Sequence, residues 1–291
     1  MVKDESLSAK VFTVVVHVTM IVVLIATLVP VIHVISISFS SSDAINRGLV
    51  SLWPVEFSLN AYNAIFETGR VVRAFGNSVY YTVLGTAINM LLTTMMAYPL
   101  SRTYLTFRKF YNVLILIPMF FGGGLIPTFL NIRDLGMYDT VWAIVLPGAI
   151  SSWNLIIMRT FFMSLPIELE ESAQLDGANE FTIFRKIILP LSMASLATIT
   201  LFYAVGHWNS WFNAMIYFKN SSSYPLQTIL RSIVIENQMS EEIQMDEIAN
   251  PVSAEGIKYS TLVISMVPMM VVYPFVQKYF VKGVMIGSIK G

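Results

Sequence analysis

Long apolar runs, each separated from the next by a polar or charged stretch, set the reading of this chain. A helix needs about 20 apolar residues to cross a bilayer. Six segments reach that length: Val11–Ile37, Phe75–Ser101, Phe110–Leu130, Tyr138–Phe162, Leu191–Phe218 and Tyr259–Val281. The fourth is the least regular, being interrupted by Pro147, Gly148, Asn154 and Arg159. In the third, Gly122, Gly123 and Gly124 ahead of Pro127 mark either a break in the helix or a close-packing site. The pattern predicts an all-α integral membrane protein, with six transmembrane helices forming one domain over residues 1–291. A polar loop of two short helices, 163–190, lies between the fourth and fifth spans, and longer polar segments, 38–74 and 219–258, lie on the opposite side.

Composition agrees with this reading. The 291 residues are 55% hydrophobic and 12% charged, where a soluble domain carries about 25% charged residues. Mean hydropathy is +0.67. A formal net charge of zero argues against a nucleic-acid partner. The absence of cysteine excludes disulfides and cysteine-based metal or nucleophile sites. The first apolar segment is longer than a signal-peptide core and no small-residue cleavage site follows it, so it reads as an uncleaved span. An even number of spans puts both termini on one side. Eleven Lys and Arg residues fall in the loops of that side and seven in the others. By the positive-inside rule this places both termini and the 163–190 loop in the cytoplasm.

Within that loop Ser164 is a candidate N-cap, with Pro166 in the first turn that follows. Glu168, Glu170 and Glu171 then sit where the helix dipole favours negative charge. Leu165, Leu169 and Ala173 share a face by their four-residue spacing. Gly177 suits a sharp helix end at positive φ, and Asn179 is a candidate cap for a second helix with an apolar stripe of Phe181, Phe184 and Ile188. By periodicity alone this is either an amphipathic connection lying on the membrane or a surface offered to a partner.

The residue identities go further. Glu171-Ser172-Ala173, Asp176-Gly177-Ala178 and Ile187-Ile188-Leu189-Pro190 resemble the EAA loop of ATP-binding-cassette importer permeases. That pattern is Glu-Ala-Ala, Gly six residues after the Glu, and Ile-x-Leu-Pro ten after the Gly; only Ser172 departs from it. The segments 121–127, 153–162 and the tail 280–291 are similar to the carbohydrate-uptake branch, in particular to the maltose-type second permease subunit of its complex-saccharide subgroup. The resemblance implies a bacterial plasma-membrane permease in which Glu168–Gly177 is a coupling helix. It implies ATPase docking by Glu168, Glu171, Ser172, Ala173, Asp176, Gly177, Ala178, Leu189 and Pro190. The implied partners are a second, homologous permease in a heterodimer, two ATPase subunits and an external solute-binding protein touching 219–258. The implied cargo is an oligo- or polysaccharide. No GxxxxGK[ST] phosphate loop occurs in the chain, so ATP and Mg belong to the partner ATPase and this chain is a transport subunit rather than an enzyme. A permease for another solute class such as peptide, or a stand-alone secondary transporter, is the alternative.

Polar and aromatic groups inside the spans are candidates for the translocation path, because buried polar groups in a bilayer face protein or water. They are Trp153 and Asn154 in the fourth span and Trp208, Asn209, Trp211 and Asn213 in the fifth. Asn89 reads as a helix-to-helix hydrogen bond and His207 as a structural histidine. No convergent carboxylates, Ser/His/Asp set or metal-ligand cluster accompanies them, which argues against membrane enzyme chemistry.

Overall fold

The computed structural model describes residues 7–236 and 252–288. Lys3 and Lys290 of the charge count, the acidic segment 237–247 and the end of the tail, 289–291, lie outside the described residues. Every regular element among the described residues is helical. In chain order these are α1 Leu7–Ser38, α2 Ser42–Asn46, α3 Asn60–Thr68, α4 Arg70–Ser101, α5 Arg108–Phe120, α6 Leu125–Asp134, α7 Trp142–Val145, α8 Ser152–Met163, α9 Glu168–Leu175, α10 Glu180–Leu191, α11 Met193–Trp208, α12 Phe212–Tyr217, α13 Leu226–Glu236 and α14 Ala254–Ser288.

Three helices are long and apolar enough to cross a membrane unaided: α1, α4 and, within α14, Ala254–Pro274. They coincide with the first, second and sixth expected spans. The third and fifth expected spans are broken. Between α5 and α6 the chain turns through 115°, because Phe121 is extended (φ −123°) and Gly124 adopts φ 82°, a conformation outside the reach of most L residues. Between α10 and α11 it turns through 82°. There Pro190 brings no N–H to the helical ladder, and a π-helical turn, Phe184–Ile188, precedes it. Counting each bent pair as one crossing gives five candidate spans by length and composition.

The expected fourth span, 138–162, is not one helix. Asp139 takes φ 61°, its N–H donating to Tyr217 O at 2.9 Å and its carboxylate accepting the Lys219 N–H at 2.9 Å. Only the short α7 follows before Pro147 and Gly148. Pro147 brings no N–H to continue the helical ladder, and the helix resumes at Ser152, capped by the Ser151 hydroxyl. The turn at Asp139 and the Pro147-Gly148 break thus outweigh an apolar composition, while Asn154 and Arg159 lie within the continuous α8.

Two compact units contain the described residues. In the unit of 7–72, 232–236 and 252–266, α1 exposes most of its apolar surface. Four of its polar side chains are satisfied inside the helix: Thr13, Thr19 and Thr27 donate to carbonyls four residues earlier, and His17 Nδ1 lies 2.7 Å from Thr13 O. At the end of α1, Ser36 and Ser40 fasten the following loop through Leu52 O and the Val55 N–H. Tyr62 donates to Ser38 Oγ at 3.0 Å, above a core of Ile37, Ala44, Ile45, Ala61 and Ile65.

The unit of 73–231 and 267–288 holds the candidate site. Its largest core cluster joins Ala97, Tyr98 and Leu100 of α4, Leu155, Met158 and Phe162 of α8, Ile183 and Ile188 of α10, and Ile199 and Tyr203 of α11. The polar loop is therefore anchored by its second helix in the same core as the long helices.

Candidate functional site

The 163–190 loop folds as an elbow. Ser164 closes α8 instead of capping α9, because its hydroxyl and its N–H both donate to Phe161 O, at 2.7 and 3.0 Å. Pro166 precedes α9, whose N-cap residue, Ile167, makes no side-chain cap. The end of α9 is a Schellman motif: the Gly177 N–H donates to Gln174 O at 3.0 Å and the Ala178 N–H to Ala173 O at 2.9 Å, with Gly177 at φ 80°. Ala173 and Ala178, which the motif brings together, also pack on the main core. Asn179 then caps α10, its Oδ1 accepting the Thr182 N–H at 2.9 Å. On α10 the buried residues are Ile183 and Ile188, with Phe184 against the Tyr98 ring at 5.1 Å, while Phe181 is exposed. The inward stripe is thus centred on Ile183 rather than on Phe181.

Of the expected docking residues, Glu168, Glu171, Ser172, Asp176, Gly177 and Pro190 are exposed, and Ala173, Ala178 and Leu189 are partly buried. At the tip, Leu175 is 90% exposed. An apolar side chain held in solvent on a hydrogen-bonded elbow is a feature that sequence reasoning passed over; its place directly before Asp176-Gly177 was the available signal.

The third acidic residue, Glu170, behaves differently. It is 2% exposed and forms an ion pair with Arg102, itself 4% exposed, just beyond the end of α4. Burial holds the Glu170 carboxyl above its ordinary value; Arg102 pulls it back and Glu180 pushes it further up. Arg102 Nη1 also donates to Phe162 O at 3.1 Å, and its guanidinium lies 4.8 Å from the Tyr98 ring centre. Glu180 makes a second tie. Its Oε2 accepts from Tyr98 OH at 2.9 Å and Tyr104 OH at 3.2 Å, and its Oε1 accepts from Gln174 Nε2 at 3.2 Å, joining α9 to α10. Burial and the neighbouring Glu180 raise the Tyr104 hydroxyl above its usual range. None of Arg102, Glu170, Gln174 and Glu180 was picked out as an internal tie from sequence. Glu170 does border the Leu169–Ala173 face by its three-residue spacing from Ala173.

The expected path residues divide by burial. Trp208 is 3% exposed and packs edge-on against Phe75 at 5.7 Å, and Asn154 is also buried. Trp153, Asn209 and Asn213 are exposed. Trp211 sits in the break between α11 and α12 at φ −134°. The Arg231 guanidinium lies 3.6 Å over its ring, and Thr228 Oγ1 donates to its carbonyl at 3.1 Å. Asn89 donates to Gly148 O at 3.2 Å and lies 3.4 Å from His207 Nε2, joining α4 to α11. Among the described residues no group of three or more His, Cys, Asp or Glu side chains could hold a metal ion.

Residues 89–286 match the family described as binding-protein-dependent transport system inner membrane component. The chain is 44% identical over 263 residues to YtcP of Bacillus subtilis (strain 168), a polygalacturonan/rhamnogalacturonan transport system permease protein, covering 90% of this chain and 92% of that protein. It is 42% identical over 266 residues to Protein LplC of the same organism, covering 91% and 90%. In fold it is similar to a bacterial ABC transporter involved in the import of the acidic polysaccharide alginate, with a TM-score of 0.89 and 34% identity over 94% of this chain and 98% of that one.

Proposed function

The chain belongs to the inner-membrane components of binding-protein-dependent transport systems, and from that premise we propose that it is a permease subunit of an ATP-driven importer of oligo- or polysaccharide. The names of its permease relative and of the alginate importer support a carbohydrate cargo. A second permease subunit completes the path, an external binding protein delivers the substrate, and two ATPase chains hold ATP and Mg. Both termini and the elbow lie in the cytoplasm. The broken helices and the irregular 138–162 segment complete six crossings in one permease domain.

The observation that carries the docking role is the elbow's exposed tip. Leu175 stands in solvent on a helix whose end is set by the Schellman motif, beside the outward carboxylates Glu168, Glu171 and Asp176. Fully burying a leucine side chain is worth about 1.5–3 kcal/mol, so seating this tip in a cleft of the ATPase supplies affinity. Glu171 pairs with a cationic or polar group on the ATPase, and Gly177 sets the angle at which the motion of hydrolysis enters α10. Trp153, Asn209, Trp211 and Asn213 face the carbohydrate, and the buried Trp208 and Asn154 pack behind them.

The chain contains no cysteine, so Leu175→Cys provides a single crosslinking handle. The expected result is a crosslink to a cysteine placed in the ATPase cleft, with an efficiency that changes with nucleotide. Labelling of that cysteine in intact cells by a membrane-impermeant reagent would overturn the assignment.

A further inference from the structure

We infer that the Arg102–Glu170 ion pair is the joint through which the elbow moves the membrane helices, so that these two residues set the coupling of hydrolysis to transport without touching ATPase or substrate. The inference rests on the elbow being the docking element. Three observations carry it.

The first is connectivity. Arg102 follows the last residue of α4, donates to Phe162 O near the end of α8, and pairs with Glu170 of α9. One side chain thus links the elbow's first helix to two others. The second is the way the charge is placed. Helix C-termini carry carbonyls without intrahelical partners, and Arg108 and Arg159 both donate to Leu100 O, at 3.3 and 3.1 Å. With those two cations on the end of α4, Arg102 is directed to Phe162 O and Glu170. The third is burial. Removing two charges from water is unfavourable unless they are well partnered, and apolar residues of similar volume hold a helix at least as firmly. What an ion pair adds is a register, because sliding α9 by one residue either puts Leu169 before Arg102 or, with Glu171 there instead, gives up the Gln174–Glu180 tie. The tie through Glu180, which shares Tyr98 with Arg102, reinforces that register from α10.

Adjacent carboxylates therefore divide the work. Glu171 faces outward, where an ATPase is reached, and Glu170 faces inward, where the helices are reached.

The test uses the full complex in proteoliposomes, measuring the ATPase retained by the permease and the substrate moved per ATP hydrolysed. That ratio does not change when the amount of folded protein falls, which separates coupling from stability. Arg102→Met/Glu170→Met leaves no unpaired charge. It is expected to retain the ATPase and to move about tenfold less substrate per ATP, a loss within the usual range of coupling between sites. The exchanged pair Arg102→Glu/Glu170→Arg is expected to move more substrate per ATP than the apolar pair. An unchanged ratio in the apolar pair overturns the inference, as does an exchanged pair no better than the apolar one. A wild-type permease that does not retain the ATPase through the elbow, judged by retention in Leu175→Asp, overturns the docking reading itself, and the inference falls with it.

Discussion

Replacing Gly85 by alanine tests the packing of α4 on α11 where Gly85 meets the His207 ring. A Cβ built at Gly85 lies 2.4 Å from His207 Nε2, 2.5 Å from Cε1 and 2.8 Å from Cδ2, where nonbonded carbon atoms settle at about 3.5–4 Å. The imidazole must therefore move by about 1 Å or more, and it gives up its 3.4 Å approach to Asn89 Oδ1. Overpacking of this kind costs about 1–3 kcal/mol, and loss of a hydrogen bond about 0.5–1.5 kcal/mol. Alanine in place of glycine within a helix returns about 1 kcal/mol. The net expectation is a destabilisation of about 1–3 kcal/mol, read as a drop in thermal midpoint of the purified complex in one fixed detergent. The decisive comparison is the same substitution in a His207→Ala background. With the ring gone, the three atoms nearest the methyl are removed, and Gly85→Ala becomes neutral or stabilising by up to about 1 kcal/mol. Equal losses in the two backgrounds, or no loss in the wild type, would refute the reasoning.

Three further outcomes follow from the elbow and from the break between α11 and α12. Gly177→Asp forces a side chain onto φ 80° in otherwise open space, at a cost of about 1–2 kcal/mol in backbone strain. Membrane insertion should be normal and vesicle uptake reduced, and wild-type uptake at normal protein levels would contradict this. Glu170 is held above the ordinary carboxylate value of 4.5, first by burial. In that case the folded elbow binds the proton more readily than the unfolded chain does. Its contribution to stability is then fully present below pH 4.5 and is lost as pH rises through the raised value. Hydrogen exchange of α9 should show protection falling with pH over that window, and Glu170→Gln should flatten the slope. Arg231→Ala removes the cation from the Trp211 face, a loss of about 0.5–1 kcal/mol at an exposed site. Faster amide exchange in α13 together with altered tryptophan emission would be the expected readout, and unchanged spectra and exchange would count against it.

Hydropathy located α1, α4 and α14 because a crossing helix needs a contiguous apolar run and little else. It also marked the glycine break ahead of Pro127, since three glycines in succession are visible locally; the 115° turn they permit is not. The segment 138–162 does not form the single helix its composition suggests, for a related reason. Its apolar content suits a span, but Asp139 is held in a left-handed turn by Tyr217 and Lys219, whose proximity no local pattern announces. Burial divided the path candidates in the same way, turning Trp208 onto Phe75 and leaving Asn209 beside it exposed.

The elbow shows where this boundary falls within a single loop. The elbow's turn and its exposed side chains are made from consecutive residues, so Gly177, Asn179 and the outward carboxylates can be read directly from the chain. The joint behind it pairs Glu170 with Arg102, 68 positions away, and the only local hint is the three-residue spacing of Glu170 from Ala173, which names no partner. Only packing decides which of three neighbouring carboxylates turns inward. Ala173 and Ala178 sit on the core at one end of α9, and with that end fixed, the helical period carries Glu170 to the Arg102 side and leaves Glu171 in solvent. The local pattern therefore discloses which side chains the loop exposes, and the tertiary contacts disclose how the loop is joined to α4 and α8.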